Sequence, residues 1–234
     1  MRFRIDLVVR LKTPFNISTG ALTGVFADRP LLKDSLGYPY VPGSALKGKL
    51  RHIYEQVARG LWAEQGRDWP HDCHAPTPDA MCQRDPGDAT SFCPVCRVFG
   101  APWLPSRIVC EDLTLHEPAY LREERRRAEP NPLPTALRHG VSLSRRRRVA
   151  EEARLYTTEV WMPGAKPAFR GKIRGDVGQK DLALLSVALD NLTALGGGKT
   201  GGLGWCEIEQ VVSVFEDGEW QELDGTTLRR EAAI

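Results

Sequence analysis

Phe3, Ile5, Leu7, Val9 and Leu11 alternate with Arg2, Arg4, Asp6 and Arg10, the period-2 pattern of a strand with one face in a core and one in water. Pro14 to Gly24, rich in Ser, Thr, Asn and Gly, reads as a loop that leads past Asp28 into Pro30-Leu31-Leu32. After the stiff run Tyr38-Pro39-Tyr40-Val41-Pro42-Gly43, Ser44 stands where an N-cap belongs. Leu46, Leu50, Ile53, Tyr54, Val57 and Leu61 then recur at helical spacing. From Arg67 to Pro94 the periodicity stops and Pro, Asp, His and Cys take over, so this segment cannot build a core of its own. A strand pattern returns at Ile108 to Leu115. Arg122 to Pro134 is basic and broken by prolines, which predicts an extended arm or hairpin. Val160 to Gly171 reads as strand and turn. Asp181 to Leu195 is an amphipathic helix with Leu182, Leu185, Leu189 and Leu192 on one face, and Trp205 to Phe215 is a closing strand. Gly225 to Ile234 reads as a short polar tail.

The order strand, helix, strands, helix, strand predicts an α+β fold with a ferredoxin-like core that carries insertions. At 234 residues the chain fits one domain. We divide it into a core at about 1–66, 97–116 and 149–225, a cysteine-bearing insertion at 67–96 and a basic arm at 117–148. A hydrophobic fraction of 41% with 26% charge is ordinary for a globular protein. No apolar run approaches the roughly 20 residues that span a bilayer, and the start of the chain lacks a signal-peptide pattern. The expected location is cytoplasmic, with no membrane partner. The net charge of +2 hides an arginine concentration between Arg122 and Arg148.

Six cysteines in a reducing compartment point to metal or core packing ahead of disulfides. Cys73, Cys82, Cys93 and Cys96 form C-x8-C-x10-C-x2-C inside the segment that lacks a core, and four thiolates are what a closed, structural, tetrahedral Zn2+ site requires. His71 or His74 could replace one cysteine. Cys110 and Cys206 fall in strand patterns and read as core residues.

The run Gly196-Gly197-Gly198-Lys199-Thr200-Gly201-Gly202-Leu203-Gly204 lies between a helix and a strand. It lets backbone approach a ligand closely, with Lys199 supplying charge. A P-loop is excluded, because Thr193 stands where its first glycine belongs and the flanking elements come in the opposite order. Lys47, Lys49 and Arg51 near the first helix start, the glycine loop, the arginine-rich arm and the aromatics Trp103 and Tyr120 together point to a single-stranded nucleic-acid backbone. Taken singly, such clusters, Arg145 to Arg148 included, read as solvated surface.

Four segments resemble the RAMP superfamily (repeat-associated mysterious proteins), in particular the backbone subunits of type III CRISPR effector complexes. They are Ala27-Asp28-Arg29-Pro30-Leu31-Leu32-Lys33-Asp34, then Tyr38 through Arg51 with its Pro42-Gly43-Ser44-Ala45-Leu46-Lys47-Gly48-Lys49-Leu50-Arg51, then Cys93-Pro94-Val95-Cys96-Arg97-Val98-Phe99-Gly100, and the glycine loop. The resemblance implies a modified RNA-recognition-motif core stacked in several copies along a CRISPR guide RNA, beside other subunits of the complex. It also implies a thumb-like hairpin wedged between guide and target, for which 122–148 is the candidate. Ser44, Lys47, Lys49, Arg51, Gly197, Gly198, Lys199, Thr200 and Gly201 become the expected RNA contacts.

Asp28 becomes the expected catalytic aspartate, with Asp34 a nearby alternative, for Mg2+-dependent or other divalent-ion-dependent cutting of a target single-stranded RNA. The implied chemistry is in-line attack by the target's own 2'-hydroxyl, which leaves a cyclic phosphate. Two further readings within the family are a scaffold that binds without cutting and a guide-processing endoribonuclease using a histidine such as His52. A zinc-ribbon DNA-binding regulator is disfavoured by the long cysteine spacer and the lack of a recognition helix.

Overall fold

A computed structural model describes the chain except residues 19, 21–26, 36, 67, 70–72, 75–76, 83–91, 117–134, 163–167 and 233–234. The predicted first strand is β1 (Arg2–Leu11), and its alternation is realised: Phe3, Ile5, Leu7 and Val9 are buried. β1 lies at the centre of a sheet, antiparallel both to β7 (Ala168–Asp176) and to β8 (Cys206–Glu216). Beyond β7, β3 (Ile108–Cys110) and β4 (Leu113–His116) pair with successive stretches of the same strand, and β2 (Tyr40–Val41) pairs with β4. Beyond β8 lies β9 (Glu219–Leu223). The order is β2-β4-β7-β1-β8-β9, with β3 also on β7.

The helices share one core with this sheet. α1 (Gly43–Glu64) buries Leu46, Leu50, Ile53, Tyr54 and Ala58, while Val57 and Leu61 pack at the core's margin. α2 is the short helix Pro94–Phe99. α3 (Gln179–Asp190) buries Leu182, Leu185 and Leu189 and ends earlier than expected, at Asn191. The sheet's other face is a lattice of paired charges: Arg4 with Asp6 at 2.8 Å, Lys172 with Asp6 at 3.6 Å, Arg174 with Glu111 at 3.4 Å, Arg10 with Glu209 and Lys12 with Glu207.

Three local expectations are corrected. Ser44 is not the cap of α1: Pro42 occupies that position, without a side-chain hydrogen bond, and Gly43 begins the helix. The carboxylate of Asp112 does the capping instead, accepting from the Gly43 N–H at 2.7 Å. The residues after Gly225 are not a polar tail but α4 (Gly225–Ala232), held to α3 by the buried Leu228 and by Arg229 on Asp190 at 3.0 Å. The arm also runs further than the boundary at 148. β5 (Thr135–Leu143) pairs with β6 (Ala150–Trp161) in a separate two-stranded sheet whose turn carries Arg145 to Arg148. The rest of the arm, Arg122 to Pro134 included, lies outside the described residues, as do His71 and Tyr120. Among the described residues no helix is long and apolar enough to cross a membrane.

One buried carboxylate ties α1, α2 and α3 together. Asp181, 5% exposed, accepts from Arg97 at 2.8 and 3.1 Å and from the Tyr54 hydroxyl at 3.0 Å. Removing one member leaves a desolvated charge unmatched, which costs more than the pair gains. Asp181→Ala is expected to lower unfolding stability by about 2–3 kcal/mol, discounted because Arg97 keeps partial access to water. Chemical denaturation of both proteins measures it, and a change under about 0.5 kcal/mol would show the network to be dispensable.

Candidate functional site

Three groups of chemically useful residues lie around α1, the glycine loop and the β5-β6 hairpin. The first is the cysteine quartet. Cys73, Cys82, Cys93 and Cys96 are all buried, and their sulfurs lie within 4.8 Å of one another. A tetrahedral site with metal–sulfur bonds of about 2.3 Å sets its sulfurs about 3.8 Å apart, so the quartet fits a thiophilic divalent ion with little movement. Backbone N–H groups already point at sulfur: Cys93 N at Cys82 Sγ and Cys96 N at Cys93 Sγ, both at 3.4 Å. Burial pushes the Cys73 thiol up to about 12. Cys96 is held down to about 5, first by the Cys93 thiol and also by Cys73 and the Arg51 charge. Cys206 is buried in β8 and Cys110 half-buried at the end of β3, as the strand patterns predict.

The second group is a cleft of about 280 Å³ between α1 and the glycine loop, lined by Ser18, Ala45, Lys49, Gly196, Gly197 and Lys199 among others. Helical spacing selects which cations reach it. At about 100° per residue, Lys47 and Arg51 share one face of α1, and Lys49 faces away from both, together with Ala45. Lys49 therefore meets Lys199. Its ammonium is held below the ordinary lysine value, first by burial and then by the hydrogen bond and charge of Lys199. Among the described residues no carboxylate pairs with either amine. Two amines pressed together without an anion are an arrangement that a phosphate relieves. The loop beneath them demands glycine: at Gly196 (φ +84°) a Cβ would sit 2.3 Å from the Asn16 carbonyl oxygen, and at Gly204 (φ +74°) 1.8 Å from that of Leu195.

The third group continues from the second. A cleft of about 320 Å³ separates Gly197, Gly198, Thr200 and Gly201 of the loop from Arg138, His139, Tyr156 and Thr158 at the base of the hairpin, with Asn16 and Arg29 on its walls. The Arg29 guanidinium lies 4.7 Å from the Tyr156 ring centre. At its rim, residues 28–31 run along the free edge of β6. Arg29 N donates to Thr157 O at 3.0 Å and Glu159 N to Arg29 O at 3.1 Å. This pins Asp28. Its Oδ2 accepts from Thr157 N at 2.6 Å and from Thr157 Oγ1 at 3.0 Å, which keeps its carboxyl below the usual carboxylate range. Asp34, the alternative, is spent on its own turn: its Oδ1 accepts from Tyr38 N at 2.9 Å.

The predicted site residues thus separate. Lys49, Lys199 and the glycines Gly197, Gly198 and Gly201 meet along one continuous surface, with Thr200 in the second cleft and Asp28 at its end. Ser44 is exposed at the start of α1. Lys47 points toward the Ile108 carbonyl at 3.4 Å, and Arg51 toward Gly100 O at 2.9 Å and Cys96 Sγ at 3.6 Å. Trp103 is exposed but lines neither cleft, and His52 is exposed on α1. Among the described residues no second group of three or more His, Cys, Asp or Glu gathers, around Asp28 or elsewhere.

Sequence reasoning missed Asn16, Arg29, Thr157 and Glu159. Asn16 is buried and donates to Glu159 O at 2.6 Å, while its carbonyl accepts from Gly197 N at 2.9 Å. Glu159 accepts from Leu31 N at 3.0 Å and Lys33 Nζ at 2.6 Å. Only the tertiary structure brings these residues together.

A family model described as the RAMP superfamily matches residues 8–207. Csm3 of Methanocaldococcus jannaschii, named as a CRISPR system endoribonuclease, is 33% identical over 75 residues, which are 31% of this chain and 23% of that protein. The similarity therefore spans less than a quarter of that relative's length.

Elemental analysis of the purified chain is expected to find about one thiophilic divalent ion per molecule, with Cys82→Ser/Cys96→Ser both emptying the site and lowering Tm. Wild-type protein free of metal after purification without chelators, and unchanged in Tm by added zinc, would contradict it.

Proposed function

The chain belongs to the RAMP superfamily, and from that premise we propose that it is a guide-RNA-binding backbone subunit of a type III CRISPR effector complex that cuts guide-complementary target RNA. The observation that carries this reading is the continuous surface running from Lys49 and Lys199, across the glycine loop, to Arg29 and Arg138 and ending at the pinned Asp28. Unpaired amines and close backbone suit a sugar-phosphate chain whose sequence is read by base pairing and not by protein. The partial likeness to Csm3 favours the type III setting.

The architecture fits the proposal. Taking β3 and β4 as one interrupted strand, the order β4-β7-β1-β8 with α1 and α3 on one face supports a ferredoxin-like core. The β5-β6 hairpin supports a thumb. It exposes Leu137, Val141, Leu143 and Leu155, and a lone two-stranded ribbon is marginal in water, so further backbone copies or the guide-target duplex would cover them. The quartet suits a structural Zn2+, which requires reduced thiols and so fits a cytoplasmic protein.

Cleavage in this reading is attack of the target's 2'-oxygen on the adjacent phosphorus. The bond from phosphorus to the 5'-oxygen breaks, the 2'-hydroxyl proton passes to solvent, the leaving 5'-oxygen takes a proton from solvent, and a 2',3'-cyclic phosphate and a 5'-hydroxyl remain. Asp28 is held ionised by Thr157, which makes it a weak base and a good ligand. With Mg2+, Asp28 and RNA phosphate oxygens would be the ligands, since that ion is content with one or two carboxylates plus substrate phosphates, and it would supply charge stabilisation at the phosphoryl oxygens.

In a reconstituted complex with magnesium, Asp28→Ala is expected to reduce target cutting by roughly 100-fold or more while guide affinity stays within about twofold. Unchanged cutting would leave the chain as a scaffold, and cutting of a repeat hairpin by the isolated chain would make it a guide-processing enzyme. Separately, Lys49→Ala/Lys199→Ala is expected to weaken RNA binding and to reduce the slope of log affinity against log salt by about 1–2. An unchanged slope would place the phosphates elsewhere.

A further inference from the structure

α1 presents two functionally different faces. Lys49 looks into the anion cleft, whereas Arg51 looks into the cysteine quartet and meets it at two points: Nη1 donates to the Gly100 carbonyl at 2.9 Å and Nη2 lies 3.6 Å from Cys96 Sγ. Gly100 ends α2 and Cys96 lies in its first turn, so one planar guanidinium spans the helix that carries Cys96 and is capped by Cys93. Two turns along α1, Arg59 holds a third ligand residue, donating to the Cys73 carbonyl at 3.1 Å while lying over Trp69 at 4.7 Å.

Four thiolates around a divalent ion carry a net charge of −2, and at this buried position water cannot compensate it. The two N–H groups aimed at sulfur offset part of that charge. Arg51 is the one cation placed against a ligand sulfur among the described residues. Its forked donors reach sulfur and carbonyl at once, which the single ammonium of a lysine cannot reproduce.

We propose that Arg51 is the charge partner and positioning residue of a metal–tetrathiolate centre, docking that centre onto α1, and is not an RNA contact. The proposal rests on the cysteine quartet being a metal centre. α1 then works as a spacer with the centre bolted to one side and RNA held on the other, so that the centre sets the helix's position and does not touch the ligand.

The test uses the full chain and its complex, with Arg51→Met, which keeps the stem and removes the charge, and Arg51→Lys. Zinc release to a colorimetric chelator is expected to be about 10–100-fold faster in Arg51→Met, the usual cost of losing an outer-shell partner, and intermediate in Arg51→Lys. Cobalt-substituted protein is expected to show a shifted sulfur-to-metal charge-transfer band in Arg51→Met, which loss of the Gly100 contact alone would not produce. With zinc saturating, guide-RNA affinity and its salt slope are expected to match wild type. Zinc release and cobalt spectra like those of wild type in Arg51→Met would overturn the proposal and leave the metal centre standing. Weakened RNA binding with a reduced salt slope at full zinc occupancy would return Arg51 to the RNA surface and overturn it too. A wild-type chain that binds no metal would instead remove the centre itself, and the proposal with it. If Arg51→Met fails to fold by circular dichroism, Arg51→Lys carries the same comparison: release at the wild-type rate overturns the proposal, and faster release from a folded chain upholds it.

Discussion

The angular spacing of side chains on α1 is the constraint on which the rest of the chain's working surface depends. Twenty-two residues of helix must at once pack Leu46, Leu50, Ile53 and Tyr54 into the sheet, turn Ala45 and Lys49 toward the glycine loop, and turn Arg51 and Arg59 toward the cysteine segment. A helix offers three such directions because successive residues step by about 100°. A one-residue insertion in α1 would rotate all three faces out of register together. That explains why α1 is anchored on several sides: by Asp112 at its first N–H, by Tyr54 on Asp181, and by two arginines on the cysteine segment.

The second joint is smaller and more buried. Asn16 follows β1 by a short loop, yet its amide and backbone touch the glycine loop, β6 and the segment after Asp28. It ties the wall of the cleft beside Lys49 to the strand that pins Asp28, so the two ends of the surface share one reference point. Because Gly196 comes within 2.3 Å of the Asn16 carbonyl when given a Cβ, the glycine run is partly a packing requirement. Flexibility for the ligand is not its sole reason: Gly196 and Gly204 are spent on backbone contact and Gly198 (φ +68°) on the Leu203 side chain, while Gly197 and Gly201 have room above them in the cleft.

What could be read in the sequence was whatever depends on near neighbours in the chain. The alternation of β1 and the apolar stripe of α1 are local patterns, and so is a C-x2-C pair in a segment without a core. The structure keeps all three. The N-cap was illegible because the acceptor, Asp112, is supplied 69 residues away and a serine at the expected place was a sufficient decoy. α4 was illegible because its amphipathicity rests largely on the single buried Leu228. Lys47, Lys49 and Arg51 are close in sequence, but the helical step of about 100° per residue turns Lys49 away from the other two. Asn16, Thr157 and Glu159 carried no local signal, since each acquires its role from residues more than a hundred positions distant.

Charge makes the same point in reverse. Counting gives a net +2 for the chain, which says nothing about where an anion would bind. On the outer face of the sheet, arginines and lysines outnumber those of the cleft, but each of Arg4, Arg10, Lys12, Lys172 and Arg174 has a carboxylate beside it. Those five charges are already matched. In the cleft Lys49 has Lys199 for a neighbour and burial for an environment, two terms that both oppose its charge. Two amines side by side, with no carboxylate paired to either among the described residues, leave positive charge that the fold itself does not neutralise. A phosphate would neutralise that charge, so this small basic surface is a stronger candidate for a phosphate backbone than the paired charges on the outer face of the sheet.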